Sequence, residues 1–100
     1  MELKQRVVNV AIQVLPLSQD KDMYQMVDAA IEIIQQSGLK HVVTPFETVV
    51  EGSYEKVMLI VEDVQEACYK AGADKLICNL KIQSHKTDTV LIEDKLEKYG

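Results

Sequence analysis

Asn9 and Gln13, in a strand-like run over 7–15, and Asn79, in another over 75–83, are the residues best suited to recognition chemistry. Successive side chains of a strand point to opposite faces. Val8, Val10, Ile12 and Val14 therefore share one face, and Asn9, Ala11 and Gln13 the other. In the second run Leu76, Cys78, Leu80 and Ile82 oppose Ile77, Asn79, Lys81 and Gln83. A primary amide carries both donors and an acceptor. Amides set among Ile, Val and Ala suit either the reading of a small ligand's hydrogen-bonding edge or pairing across a seam between two copies. In both cases a buried amide left unpartnered costs roughly 1–3 kcal/mol. Thr48 and Val50 are placed on the same amide-bearing face. Glu47 and Glu51 flank a strand beside the Pro45-Phe46 bend, where a carboxylate either favours a cation or is simply solvated.

Other chemistries lack their residues. Iron–sulfur ligation needs four cysteines, and only Cys68 and Cys78 occur, without CxxC spacing or a nearby His. They read as small buried hydrophobes. Base stacking of the RNA-recognition kind needs aromatics on the strands over 7–15 and 75–83, which have none. Arg6, the single arginine, precedes the first strand rather than lying in an anion-binding loop, and no GxGxxG, P-loop or zincin motif occurs. Nucleophilic catalysis needs a Ser, Thr or Cys beside a base. His41 opens a strand and His85 lies in a polar link, neither placed near Ser18 or Cys78. Glu62, Asp63 and Glu66 fall on an outer helix face. The chain reads as a non-enzyme.

The elements that position the amides repeat. A β-branched run over 7–15 stops at Pro16, and a helix over 21–37, capped by Ser18 or Asp20, presents Met23, Val27, Ala30, Ile31 and Ile34 as its apolar stripe. Gly38 follows it, then a strand over 40–44. After Pro45-Phe46 a strand over 47–51 leads through Gly52 to a helix over 53–71, capped by Ser53, with Val57, Ile60, Val61, Val64 and Cys68 as its stripe. Gly72 follows, then the strand over 75–83. A polar link from Ser84 to Asp88 leads to a last helix over 89–99, with Ile92, Leu96 and Tyr99 on one side, which docks on this chain or on another. The order βαββαβ with right-handed crossovers predicts a ferredoxin-like α+β sandwich, a four-stranded antiparallel sheet of order 4-1-3-2 with two helices on one face. The first and third strands are expected to lie parallel at its centre. The other face stays open, and open faces of this composition tend to be covered by a second copy or by a ligand.

One hundred residues predict a single domain over 1–100. The net charge of −5 argues against a nucleic-acid partner, because phosphate binding needs concentrated Lys and Arg. No apolar run approaches the ~20 residues a membrane span needs, and residues 1–5 do not begin a signal peptide, so a cytoplasmic protein without membrane attachment is expected.

The stretches Ile12-Gln13-Val14-Leu15-Pro16-Leu17, Ser37-Gly38-Leu39-Lys40 and Thr44-Pro45-Phe46-Glu47-Thr48-Val49-Val50-Glu51-Gly52 resemble the thiamine-binding (YkoF-like) protein family, as does the Gly72-Ala73-Asp74 turn before Asn79-Leu80-Lys81-Ile82. The similarity covers about 7–83, and the last helix fits single-domain members. Pro-Phe-x-Thr-x-x-Glu-Gly over 45–52 is the most specific piece; a glycine often precedes that proline in the family, where Thr44 stands here. The resemblance implies a ferredoxin-like fold, homodimers or homotetramers formed through open sheet faces, and non-catalytic binding of thiamine or its pyrimidine part, with no cofactor besides that ligand. Under it, Asn9, Gln13, Thr48 and Asn79 would read the aminopyrimidine edge, Phe46 would stack on a ring, and Glu51 or Glu47 would favour the thiazolium cation. Ser18 would reach the site from its loop or serve as a helix cap.

Two other readings stand beside this one. The sheet face serves self-assembly alone, with no small-molecule ligand, or the domain is a regulatory module that binds amino acids between ferredoxin-like subunits.

Overall fold

The computed structural model describes residues 2–99. After a short 3-10 turn, Leu3–Gln5, the elements are β1 (Val7–Leu17), α1 (Met23–Gln36), β2 (Lys40–Val43), β3 (Thr48–Ser53), α2 (Tyr54–Lys70), β4 (Lys75–Gln83) and α3 (Ile92–Tyr99). The sheet order is β2-β3-β1-β4, which is the expected 4-1-3-2 counted from the other edge. The fold is ferredoxin-like α+β. The central pair, β1 and β3, is antiparallel rather than parallel. Each crossover makes its own two strands parallel but skips one position, and the short β2–β3 link reverses direction between the two units. Every adjacent pair is therefore antiparallel.

α1 and α2 cover one face. Val8, Val10 and Ile12 from β1 and Val50 from β3 pack with Met26, Ala30 and Ile34 from α1 and with the α2 stripe Val57, Ile60, Val61, Val64 and Cys68. The α2 stripe is the expected one, and Ser53 caps that helix by accepting from Lys56 N. On α1, Met26 is buried where Met23 was expected; Met23 is exposed. The cap is Asp22, whose side chain accepts from Tyr24 N, instead of Ser18 or Asp20. Ser18 Oγ accepts from the backbone of Asp20 and Lys21 and closes the preceding turn. The helix therefore begins at Met23, later than expected, and its buried residues are Met26, Ala30 and Ile34. Gly52 faces the helices opposite Val8, and a Cβ there would stand 2.8 Å from Leu39 Cδ1 and 3.2 Å from Val57 Cγ2, so the close approach of α2 to β3 requires glycine.

Pro16 does not end β1. The ladder with β3 runs only to Ile12, while the ladder with β4 continues to Leu17. Past Ile12 the β3 side of β1 is a local edge, where proline is tolerated.

The open face is open at one end only. Val90 N donates to Val7 O at 3.1 Å, and Val90 and Ile92 are buried against the sheet. The last helix thus docks on its own chain. Leu96, expected on its inner stripe, is exposed, and the Tyr99 side chain lies outside the described part. Among the described residues no helix is long and apolar enough to cross a membrane.

Candidate functional site

Directly opposed residues of an antiparallel pair share a face, so the register assigns the open face. Asn9 opposes Glu51, Ala11 opposes Val49, Gln13 opposes Asn79, and Ala11 opposes Lys81 on the other side. Thr48 opposes Ile12 and Val50 opposes Val10. Both therefore face the helices, contrary to the expectation that they share the amide face. An offset of one residue in strand pairing reverses every side chain, and the short β3 run carries too little alternation to fix its phase from sequence.

Gln13 and Asn79 meet. Asn79 Nδ2 donates to Gln13 Oε1 at 3.1 Å. This leaves Gln13 Nε2 as a donor and Asn79 Oδ1 as an acceptor, side by side. Exchanging both amide orientations reverses the roles and still leaves one donor and one acceptor. Around the pair lies a recess of about 340 Å³ lined by Gln13, Thr44, Phe46, Glu47, Asn79 and Lys81.

Phe46 overhangs this recess, 80% exposed. Thr44 holds the loop that carries it. Its hydroxyl donates to Glu47 O at 2.6 Å and accepts from the amides of Phe46 and Glu47, and its own amide donates to Glu47 O. A threonine thus closes the turn without a positive φ. Glu47, about one-quarter exposed, pairs with Lys81 at 3.3 Å.

The sequence model of thiamine-binding proteins matches residues 10–100. The chain belongs to the thiamine-binding protein family. A UPF0045 protein of Clostridium perfringens is 38% identical over 91 residues, which span 91% of this chain and 95% of that one. The solved structure of a domain of unknown function, DUF77, from Bacillus cereus matches with a TM-score of 0.92 at 35% identity, over 100% of this chain and 96% of that one. A Thermotoga maritima protein provisionally assigned to thiamine biosynthesis or salvage matches with a TM-score of 0.84 at 32% identity, over 94% and 99% of the two chains.

In this member of the thiamine-binding family the expected site residues separate into four places. Gln13, Phe46 and Asn79 converge on the amide recess. Thr48 lies behind the same loop, in a narrow cleft of about 70 Å³ against α1 that Pro45, Phe46 and Glu47 also line. Ser18 lies apart, beside Asp74 and Lys75. Asn9 and Glu51 anchor the C-terminal segment. Asn9 Nδ2 donates to Val90 O at 2.9 Å, and Asn9 Oδ1 accepts from Lys95 Nζ at 2.7 Å. Glu51 Oε1 accepts from Ile92 N at 2.6 Å, capping α3 from across the sheet. Glu47, instead of Glu51, adjoins the amide pair.

Lys95 was not foreseen. It lines a second recess of about 250 Å³ with Asn9, Ala11, Glu47, Val49, Lys81 and Gln83. Burial pushes its pKa below the ordinary lysine value, and the Glu51 carboxylate pulls it partly back. No sequence signal marks it, because nothing in the link 84–91 tells where α3 will dock.

The histidines serve locally. His85 Nδ1 accepts from the amides of Thr87 and Asp88, and His41 Nδ1 bonds Leu39 O. Cys68 and Cys78 are free thiols on the helix side, and burial pushes both pKa values up. Among the described residues no group of three or more His, Cys, Asp or Glu is placed to hold a metal.

Proposed function

We propose that this chain binds thiamine, or the aminopyrimidine part of it, on the open sheet face and performs no chemistry on it, acting as a carrier, buffer or sensor. The observation that carries the reading is the Gln13–Asn79 pair, which offers adjacent donor and acceptor atoms beside an exposed Phe46 and the Glu47 carboxylate. An aminopyrimidine presents the complement, an exocyclic amine next to a ring nitrogen. Phe46 supplies an aromatic face for the ring, and Glu47 supplies a negative charge for a thiazolium. Family membership and the Thermotoga maritima relative support the same ligand class.

Assembly belongs to this proposal. Leu15, Leu17 and Ile77 stand 40%, 48% and 55% exposed at the end of the sheet face that the C-terminal segment leaves uncovered. A second copy seated there would bury them and close the amide recess from above.

Isothermal titration with thiamine, and with hydroxymethylpyrimidine as second titrant, tests the ligand. Saturable heat near one ligand per chain supports the reading, and the pyrimidine arm shows which ring carries recognition. No heat with either up to millimolar concentration would overturn it and favour a face used for assembly alone.

A further inference from the structure

The thiamine reading uses the amide end of the open face and gives no ligand role to two cations next to it, Lys81, paired with Glu47, and Lys95, bonded to Asn9. We propose that the recess between Lys81 and Lys95 is a phosphoryl subsite, so that this protein prefers a phosphate monoester of its ligand to the free alcohol. The inference rests on the thiamine reading and adds the chemical form of the ligand.

The recess has the size and floor such a group needs. Its volume is about 250 Å³, and Ala11 and Val49, opposed across β1 and β3, form its base. The small Ala11 side chain leaves room directly above the sheet. Lys95 enters from α3 on one side and Lys81 from β4 on the other. An ammonium has three N–H donors, and the Asn9 carbonyl oxygen takes one from Lys95 at 2.7 Å. Asn9 is itself 3% exposed and fixed by its bond to Val90 O, so it aims Lys95 at the recess as well as accepting from it. Glu51, the carboxylate near Lys95, is committed through Oε1 to the Ile92 amide.

The two recesses adjoin. Glu47 and Lys81 line both. Ala11 precedes Gln13 by two residues on β1, and Lys81 follows Asn79 by two on β4, so the two centres lie about 7 Å apart at the rise of a strand. With the aminopyrimidine seated on the amide pair, the thiazolium and its hydroxyethyl arm would run along the sheet towards the lysines.

The placing of charge distinguishes this arrangement from a general basic patch. Glu47 lines both recesses and pairs with Lys81 at 3.3 Å, so this ion pair stands between the two centres, with Lys95 on the far side. A ligand with a ring cation followed by a phosphoryl group would take up Glu47 with the one and engage Lys81 and Lys95 with the other, whereas free thiamine offers only its alcohol to the ammonium groups. Charge-assisted hydrogen bonds of this kind are the stronger ones.

Titration of the full chain with thiamine and with thiamine monophosphate, repeated for Lys81→Met and Lys95→Met, tests the inference. The monophosphate should bind at least about tenfold more tightly than thiamine, and Lys95→Met, at a residue outside the amide recess, should reduce that preference several-fold while changing thiamine affinity much less; Lys81→Met also unpairs Glu47 in the amide recess, so it is scored by the ratio of the two affinities, which should fall as well. Lys81 is exposed, so its variant remains informative if the Lys95 variant is destabilised. Equal affinity for the two ligands, or substitutions that weaken both alike, would overturn the phosphoryl subsite and leave the thiamine reading standing. Absence of heat with both ligands would overturn the thiamine reading, and this inference with it.

Discussion

Asn79 and Gln13, 66 residues apart in sequence, are joined by a 3.1 Å amide–amide hydrogen bond across the β1–β4 ladder. The bond uses one donor and one acceptor and fixes the remaining pair side by side on an open surface. Gln13→Leu or Asn79→Leu removes half of that edge and frees the other amide to rotate. Each should weaken aminopyrimidine binding by about ten- to a hundredfold, the equivalent of losing one or two hydrogen bonds in a site. Since Asn79 is exposed and Gln13 half-buried, the melting temperature should stay close to that of the parent. Titration calorimetry beside a thermal melt separates the two effects, and unchanged affinity in both variants would move the ligand away from this pair.

Phe46→Ala should behave similarly at smaller magnitude. The ring is 80% exposed, so its loss costs the fold little. A stacking contact is worth about 0.5–1.5 kcal/mol, so affinity should fall roughly three- to tenfold. Phe46→Trp should retain or improve binding, which ligand-dependent quenching of the new indole would report directly.

The fold was legible because long β-branched alternation in β1 and β4 and a complete 3.6-residue stripe in α2 leave few alternatives. The amide recess was legible in part. Gln13 and Asn79 could be placed on one face because both lie in long strands whose phase is set by many residues. Thr48 could not, because β3 contributes few phase-setting residues and its register is fixed by pairing with β1. Asn9 and Glu51 were read as ligand contacts, and their side-chain partners lie in 90–95, which reaches them only after the chain folds back. Lys95 was invisible for the same reason. Tertiary docking, not local pattern, puts it there.

Thr48→Val tests the face assignment. Thr48 is buried at 5% on the helix side, opposite Ile12. Ligand affinity should remain within about twofold of the parent, because no atom of it reaches the amide recess, while stability shifts by about 1 kcal/mol in either direction as a hydroxyl is exchanged for a methyl. A loss of binding as large as that of Asn79→Leu would place the ligand in the cleft beneath Phe46 instead.

The two cysteines should resist thiol reagents. Burial raises both pKa values above the ordinary thiol value of 9.0, and the nearby Cys78 thiolate raises that of Cys68 further. Thiolate is the reactive form, so native protein at pH 8 should react with a disulfide reagent far more slowly than protein in urea, and Cys68 more slowly than the half-buried Cys78. The same shift has a stability consequence. Folded thiols hold protons that unfolded thiols release, so the contribution is complete below pH 9 and declines as pH rises through the unfolded value towards the folded ones. Lys95 works in the opposite sense, because its lowered pKa lets the folded state release a proton first, and its penalty fades as pH rises towards the ordinary lysine value of 10.5. Urea midpoints between pH 8 and pH 10 should therefore fall less steeply in Cys68→Ala than in the parent.

Glu51→Ala tests whether the C-terminal segment is held mainly by polar contacts. Glu51 caps α3 at Ile92 N and supplies the carboxylate near Lys95. Its removal leaves a buried amide without its acceptor and a half-buried ammonium without its neighbouring charge, a local cost of about 1–2 kcal/mol. Among the described side chains of α3 only Ile92 is buried, and Leu96 is exposed, so little of their apolar area opposes detachment. Hydrogen exchange should accelerate at 90–95 by about five- to thirtyfold while the amides of Val57, Val64 and Cys68 in α2 keep their protection. Equal acceleration in α2 would mean instead that 90–95 opens only with the whole core. If the local result holds, Lys95 leaves the sheet face in the same opening, and Glu51→Ala should also lower the preference for a phosphate ester without altering the amide pair.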